Sequence, residues 1–132
     1  MTDHRRLVDA GTIWGPKVGY SRAVRVGRTI HVAGTTGLDA AGLPAPGGMY
    51  GQSKQALANI LAALRQLGAG PEHVVRTRIF LTDISKWEEA GRAHGEIFAE
   101  IRPASTMVEI TRLIDPALVV EIEADAIFPE DR

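Results

Sequence analysis

At 132 residues and a formal charge of -1, the chain fits one domain with a modest core and needs no disulfide or metal staple. The absence of cysteine excludes a structural disulfide, a thiolate nucleophile and a cysteine-ligated metal. Twelve Arg and three Lys are dispersed among sixteen acids, so no polybasic field exists to collect phosphates, and nucleic acid is not an expected partner.

The cluster His4, Arg5, Arg6 is too short to change that and reads as a solvated terminus. No apolar stretch approaches the ~20 residues that cross a bilayer, so no membrane partner is expected. The first residues carry charges with no apolar run behind them, so no signal peptide is expected and the cytoplasm is the expected compartment.

In chain order, a short strand is expected within about Arg6 to Ile13, and Gly11, Gly15, Pro16 and Gly19 break the following stretch into loop. Tyr20 to Val26 alternates as a strand, with Arg22, Val24 and Val26 on one side and Ala23 and Arg25 on the other. Gly27-Arg28 turns the chain into a returning strand over Thr29 to Ala33. Five glycines and two prolines make Gly34 to Gly48 loop.

Leu57, Ile60, Leu61, Leu64 and Leu67 then recur at helical spacing, and Gly68-Ala69-Gly70-Pro71 stops that helix. His73 to Leu81 reads as a strand with Val75, Thr77, Ile79 and Leu81 on one face. A second helix starts at Ser85, with Glu88 completing a capping box, and presents Trp87, Ala90, Ala93, His94, Ile97 and Phe98 before fraying ahead of Pro103. The last strands are expected over Ser105 to Arg112 and Leu118 to Ile127.

The order ββαβαββ makes an α+β domain spanning 1–132, with two helices on one face of a mixed sheet. On the final strand Leu118, Val120, Ile122, Ala124 and Ala126 share one side, while Val119 and Ile127 lie on the other. Helices within the chain cover one face only, so the second is expected to be hidden in an oligomer.

Among residues able to carry chemistry, Glu121 and Glu123 share a strand face. If partly buried they would raise one another's pKa and hold a proton near neutrality; otherwise they are a solvated pair. Tyr20 leads from a Gly-rich loop into a strand, where its phenol either orients a substrate or seals a hairpin. Thr35 and Thr36, between Gly34 and Gly37, offer amides and hydroxyls to an anion or carbonyl oxygen, without the lysine of a nucleotide loop. Arg102 at the helix exit faces a ligand or solvent, and Met107 reads as core or interface packing or, as a functional thioether, as a substrate-binding residue with Ser105, Arg102 and Thr35. The four histidines have no ligand spacing, so no metal is expected.

Tyr20, GTTG, Asn59 in ALANILAAL, RTRIFLTD, RPASTMVEI and VVEIEADA together resemble, in order and spacing, the RidA family (YjgF/YER057c/UK114) of reactive-intermediate deaminases. The resemblance implies a chorismate-mutase-like fold of the bacillus type, assembled as a homotrimeric barrel with ligand clefts between subunits and no cofactor. It also implies hydrolysis of enamines and imines to keto acids and ammonia. Glu121 falls at the position of the water-activating glutamate and Tyr20 at that of the pocket tyrosine. Ser105 stands where catalytic members carry the arginine that grips the substrate carboxylate. Ala33 replaces a common serine, Gly91 a common asparagine and Met107 a common cysteine.

Two functions follow as expectations. In the first, Glu121 activates water on a small imine or enamine that need not bear a carboxylate. In the second, a non-catalytic homotrimer binds a metabolite or protein partner in the same clefts. The last two strands are expected to pair antiparallel, bringing Glu121 and Ser105 together beside Tyr20 or Arg102, some of them from the next chain.

Overall fold

The structure, a computed structural model, describes residues 5–129; His4 lies outside the described residues. The elements run β1 (Arg5–Val8), α1 (Trp14–Val18), β2 (Ala23–Val26), β3 (Thr29–Thr36), α2 (Gly48–Gln66), β4 (Val74–Leu81), α3 (Trp87–Phe98), β5 (Ala104–Glu109) and β6 (Val120–Ile127). From β2 onward this is the expected ββαβαββ order. The one-turn helix α1 was not expected: Gly15 and Pro16 hide it, although proline is tolerated in a first turn, and Gly19 closes it in the left-handed conformation.

All six strands form one sheet in the order β1-β2-β3-β6-β4-β5. Every neighbouring pair is antiparallel except β4 and β5, which run parallel because α3 crosses between them. The expectation that β5 and β6 pair with each other is therefore corrected: β4 lies between them and hydrogen-bonds both.

Helix α2 starts where Gly47 and Gly48 adopt positive φ. It ends in a paired glycine stop, with the Gly68 amide donating to the Arg65 carbonyl and the Ala69 amide to the Leu64 carbonyl. Its buried stripe of Ala56, Leu57, Ile60, Ala63 and Leu64 packs on Ile30, Val32, Ile79, Leu81, Ile122 and Ala124 of the sheet. Ala90, Ala93 and Phe98 of α3 complete this core. Each fully buried Leu, Ile or Phe contributes roughly 1.5–3 kcal/mol of transfer free energy. No described side chain caps α3; the capping box expected at Ser85 gives way to a single 3-10 turn, Ile84–Lys86, capped by Asp83, whose Oδ1 accepts from both the amide and the hydroxyl of Ser85.

Two irregularities redirect side chains. In β3 the pairing with β6 slips between Val32 and Thr35, and the strand continues to Thr36, beyond its expected end at Ala33. In β4 a shift between Val74 and Arg76 buries Val74 and leaves Val75 outside, reversing the expected faces of those two residues. The face without helices is mixed: Leu7, Val26, Val108 and Ile127 give it the exposed apolar side chains expected, and acids stand among them. Along β6 it carries Glu121, Glu123 and Asp125, opposite buried Val120, Ile122, Ala124 and Ala126.

Candidate functional site

Glu121, Glu123 and Asp125 emerge on the open face because alternate strand residues point the same way. Arg78 of β4 lies beside the last two, its Nη1 3.4 Å from Glu123 Oε1 and 3.2 Å from Asp125 Oδ2. His31 Nδ1 closes on Asp125 Oδ1 at 2.7 Å. Glu121 is different: its carboxyl has no hydrogen bond or ion pair with any described residue. Burial pushes its pKa up, the charge of Glu123 pushes it further, and Arg22 partly opposes both.

Beside Glu121 is a cleft of about 320 Å³, lined also by Thr12, Trp14, Tyr20, Arg22, Gly34 and Arg112. Tyr20 reaches it from the turn after α1, where the Gly19 and Tyr20 amides both donate to the Gly15 carbonyl. Its hydroxyl lies 3.3 Å from Thr12 Oγ1. The Arg22 guanidinium sits 5.7 Å from the Tyr20 ring centre. It donates to the Gly34 carbonyl at 2.8 Å, to Thr35 Oγ1 at 3.1 Å and to the Ala10 carbonyl at 3.3 Å.

The opposite wall is the segment between β5 and β6, which supplies Arg112, Leu113 and Ile114. Buried Gln52 of α2 anchors that segment: its Nε2 donates to the Ala117 carbonyl and its Oε1 accepts from the Val119 amide. Arg112 is exposed and makes no hydrogen bond or ion pair among the described residues. A larger cavity of about 780 Å³, lined partly by α2 and residues 8–16, adjoins this cleft across Arg22.

Glu121 and Tyr20 thus meet in one chain, while the other residues singled out from sequence lie elsewhere. Thr35 is buried, and its hydroxyl donates to the Ala33 carbonyl while accepting from Arg22, so it lines the larger cavity only. Ser105 and Met107 point to the helix side of β5. The Ser105 hydroxyl accepts from Thr77 Oγ1 at 2.8 Å, and Thr77 Oγ1 in turn lies 2.9 Å from His94 Nε2. His94 is held below its ordinary pKa by burial. Arg102 leaves α3 at φ 58, the one positive φ among described non-glycine residues, and does not line the Glu121 cleft. Among described residues, no group of three or more His, Cys, Asp or Glu side chains could hold a metal. No helix of the described residues is long and apolar enough to cross a membrane.

Arg22 and Arg112 were not singled out from sequence. The signal for Arg22 was available: it is two residues from Tyr20, so an extended backbone points both to one side. Arg112 was expected at the end of a strand, but β5 stops at Glu109, so Arg112 lies in irregular backbone, where no periodicity says which way a side chain turns.

Comparison with known proteins places this geometry in a family. The family model described as Endoribonuclease L-PSP matches residues 13–128. The crystal structure of a YjgF/YER057c/UK114 family member from Mycobacterium tuberculosis superposes with a TM-score of 0.85 at 49% identity, covering 93% of this chain and 98% of that one. The 2-iminobutanoate/2-iminopropanoate deaminase of Capra hircus is 36% identical over 124 residues, covering 93% of this chain and 90% of its own. The RutC family protein UK114 of Drosophila melanogaster is 31% identical, over 93% and 89% respectively. The chain belongs to the YjgF/RidA family.

Proposed function

We propose that this protein is a hydrolytic deaminase of small imines or enamines, working in the inter-subunit clefts of a homotrimer. The observation that carries the reading is Glu121, a half-buried carboxyl with raised pKa that alone among the three acids of its strand face makes no hydrogen bond or ion pair with a described residue. The proton is thus held to higher pH than on an ordinary glutamate, at the wall of a cleft. For an enamine, the protonated carboxyl delivers that proton to carbon, generating the iminium ion. Water then adds to its carbon, the carboxylate takes the water's proton and passes it to the nitrogen, and C–N cleavage, with the hydroxyl proton returning to the carboxylate, leaves a carbonyl compound and ammonia. Tyr20 borders the reacting group, and its hydroxyl can hold the nitrogen or the attacking water.

Ser105 at the arginine position supports a substrate without a carboxylate, because a hydroxyl supplies neither the charge nor the fork of a guanidinium. The decisive assay offers the protein a carboxylate-free imine made in situ by an amine oxidase and follows ammonia release. Acceleration that Glu121→Gln removes supports the reading; equal rates with and without protein overturn it. The trimer is supported by exposed apolar side chains at the cleft rim, Val18 at 72% and Ile114 at 68% exposure, and by the uncovered outer edges of β1 and β5. A monomer in sedimentation at micromolar concentration would count against it.

The other reading, a homotrimer that binds a metabolite or protein without chemistry, is favoured by one observation. Within one chain, Ser105 faces away from Glu121, its hydroxyl held by Thr77 on the helix side of the sheet. Calorimetric binding without turnover would decide for it.

A further inference from the structure

We infer that Gly34 is a positioning residue, its bare Cα forming the seat on which the Glu121 carboxyl rests. The inference rests on Glu121 being the acid of the cleft, and begins with the slip between β3 and β6. Val32 pairs with Ala124 and Thr35 with Ilе122, so Ala33 and Gly34 together oppose the single residue Glu123. Such a two-against-one bulge re-aims the strand locally. Here it brings Gly34 beneath the end of the Glu121 side chain.

A Cβ on Gly34 would lie 2.7 Å from Glu121 Cδ, 2.9 Å from Oε1 and 3.1 Å from Cγ. Its three nearest atoms all belong to Glu121. Backbone conformation does not demand glycine at this position, because Gly34 is not among the residues with positive φ. What glycine supplies is space. The peptide cannot retreat easily, since Arg22 holds the Gly34 carbonyl at 2.8 Å and the neighbouring Thr35 hydroxyl at 3.1 Å. A methyl group added there must displace the carboxyl. No hydrogen bond to a described residue fixes Glu121, so steric fit over Gly34 is what keeps the acid half-buried among Tyr20, Arg22, Arg112 and Glu123.

The test is Gly34→Ala, read by the ¹³C NMR titration of the Glu121 carboxyl carbon. Displaced toward water, the carboxyl should titrate at lower pH, toward the ordinary glutamate range. Imine hydrolysis, where the unmodified protein shows it, should fall with it. Gly95→Ala serves as control, because a Cβ there has nothing within 4 Å, and it should leave the titration in place. If Gly34→Ala does not fold, Gly34→Ala with Glu121→Ala should, since the clashing atoms are gone. Failure of both variants, or a folded Gly34→Ala with an unmoved Glu121 titration, overturns the inference. A shifted titration in a protein without turnover upholds the seat while sinking the enzymatic reading, so the two are separable.

Discussion

The two sides of β6 solve opposite problems with alternate residues of one strand. On the helix side, Val120, Ile122, Ala124 and Ala126 need only size and apolarity, and the core closes over all four. On the open side, three acids stand in a row and the protein treats them unequally. Glu123 and Asp125 lie against Arg78, and Asp125 also against His31, whereas Glu121 is left to a cleft. Charge pairing is the default for half-buried acids, because an unpaired ionised group costs far more than a paired one. A fold that pairs two and spares the third concentrates its electrostatic strain where a ligand can reach it.

The sharpest way to break this comparison is to neutralise the acids one at a time. Glu121→Gln should lower imine hydrolysis by about 10²–10⁴-fold, the usual share of a general acid–base group. Glu123→Gln should retain turnover while moving the Glu121 limb of the pH–rate profile downward, since one source of its raised pKa is removed. Equal losses in both variants would mean that the row acts as one acidic patch.

Stability should move oppositely to activity. Glu121 binds its proton more tightly folded than unfolded, so its contribution is full below the unfolded pKa and is lost as pH rises through the folded one. Glu121→Gln removes that loss. The variant should therefore denature later than the parent at neutral pH and show no advantage in acid. Urea titrations at two pH values measure this directly.

Next in size is the helix side itself. Ile122→Ala should destabilise the fold by roughly 2–5 kcal/mol, because the space it leaves is walled by packed helix and sheet. Asp125→Ala, on the same strand but only partly buried and paired with the more exposed His31 and Arg78, should cost about 1 kcal/mol. Similar costs for the two in denaturant melts would show that the open-face ion pairs hold the sheet as strongly as its core.

The contrast also explains what was legible in the sequence. Period-two alternation placed Glu121 and Glu123 on one face, and helical spacing found α2 and α3, because both signals are local. Which acid stays unpaired depends on Arg78, which belongs to β4 and reaches β6 only through the sheet order. That order was misread at β5, where a short connection suggested a hairpin and the parallel pairing with β4 prevailed. Ser85 and Glu88 match a capping box, yet the carboxylate of Asp83, two residues earlier, captures the amide first. The bulge that seats Glu121 on Gly34 is a property of two paired strands, and neither strand alone announces it.

The smallest expected effect concerns Ser105. Within one chain Ser105 and Glu121 occupy opposite faces of the sheet on strands separated by β4, so the two can serve one ligand only across a subunit boundary. Offered 2-aminoacrylate or 2-iminobutyrate from a coupled dehydratase, the unmodified protein should accelerate keto-acid release little, since water already hydrolyses these species quickly. A neutral hydrogen bond from Ser105 is worth about 0.5–1.5 kcal/mol, against about 1.5–3 for a charged one. Ser105→Arg should therefore raise the rate on these acids by about tenfold, and folding should survive because Thr77 keeps its contact with His94. Rapid hydrolysis by the unmodified protein, lost in Glu121→Gln, would show that another cation already grips the carboxylate. Arg112, without a hydrogen bond or ion pair among the described residues and at the wall of the cleft, is then the first candidate, and Arg112→Ala would raise KM for 2-imino acids while sparing carboxylate-free imines.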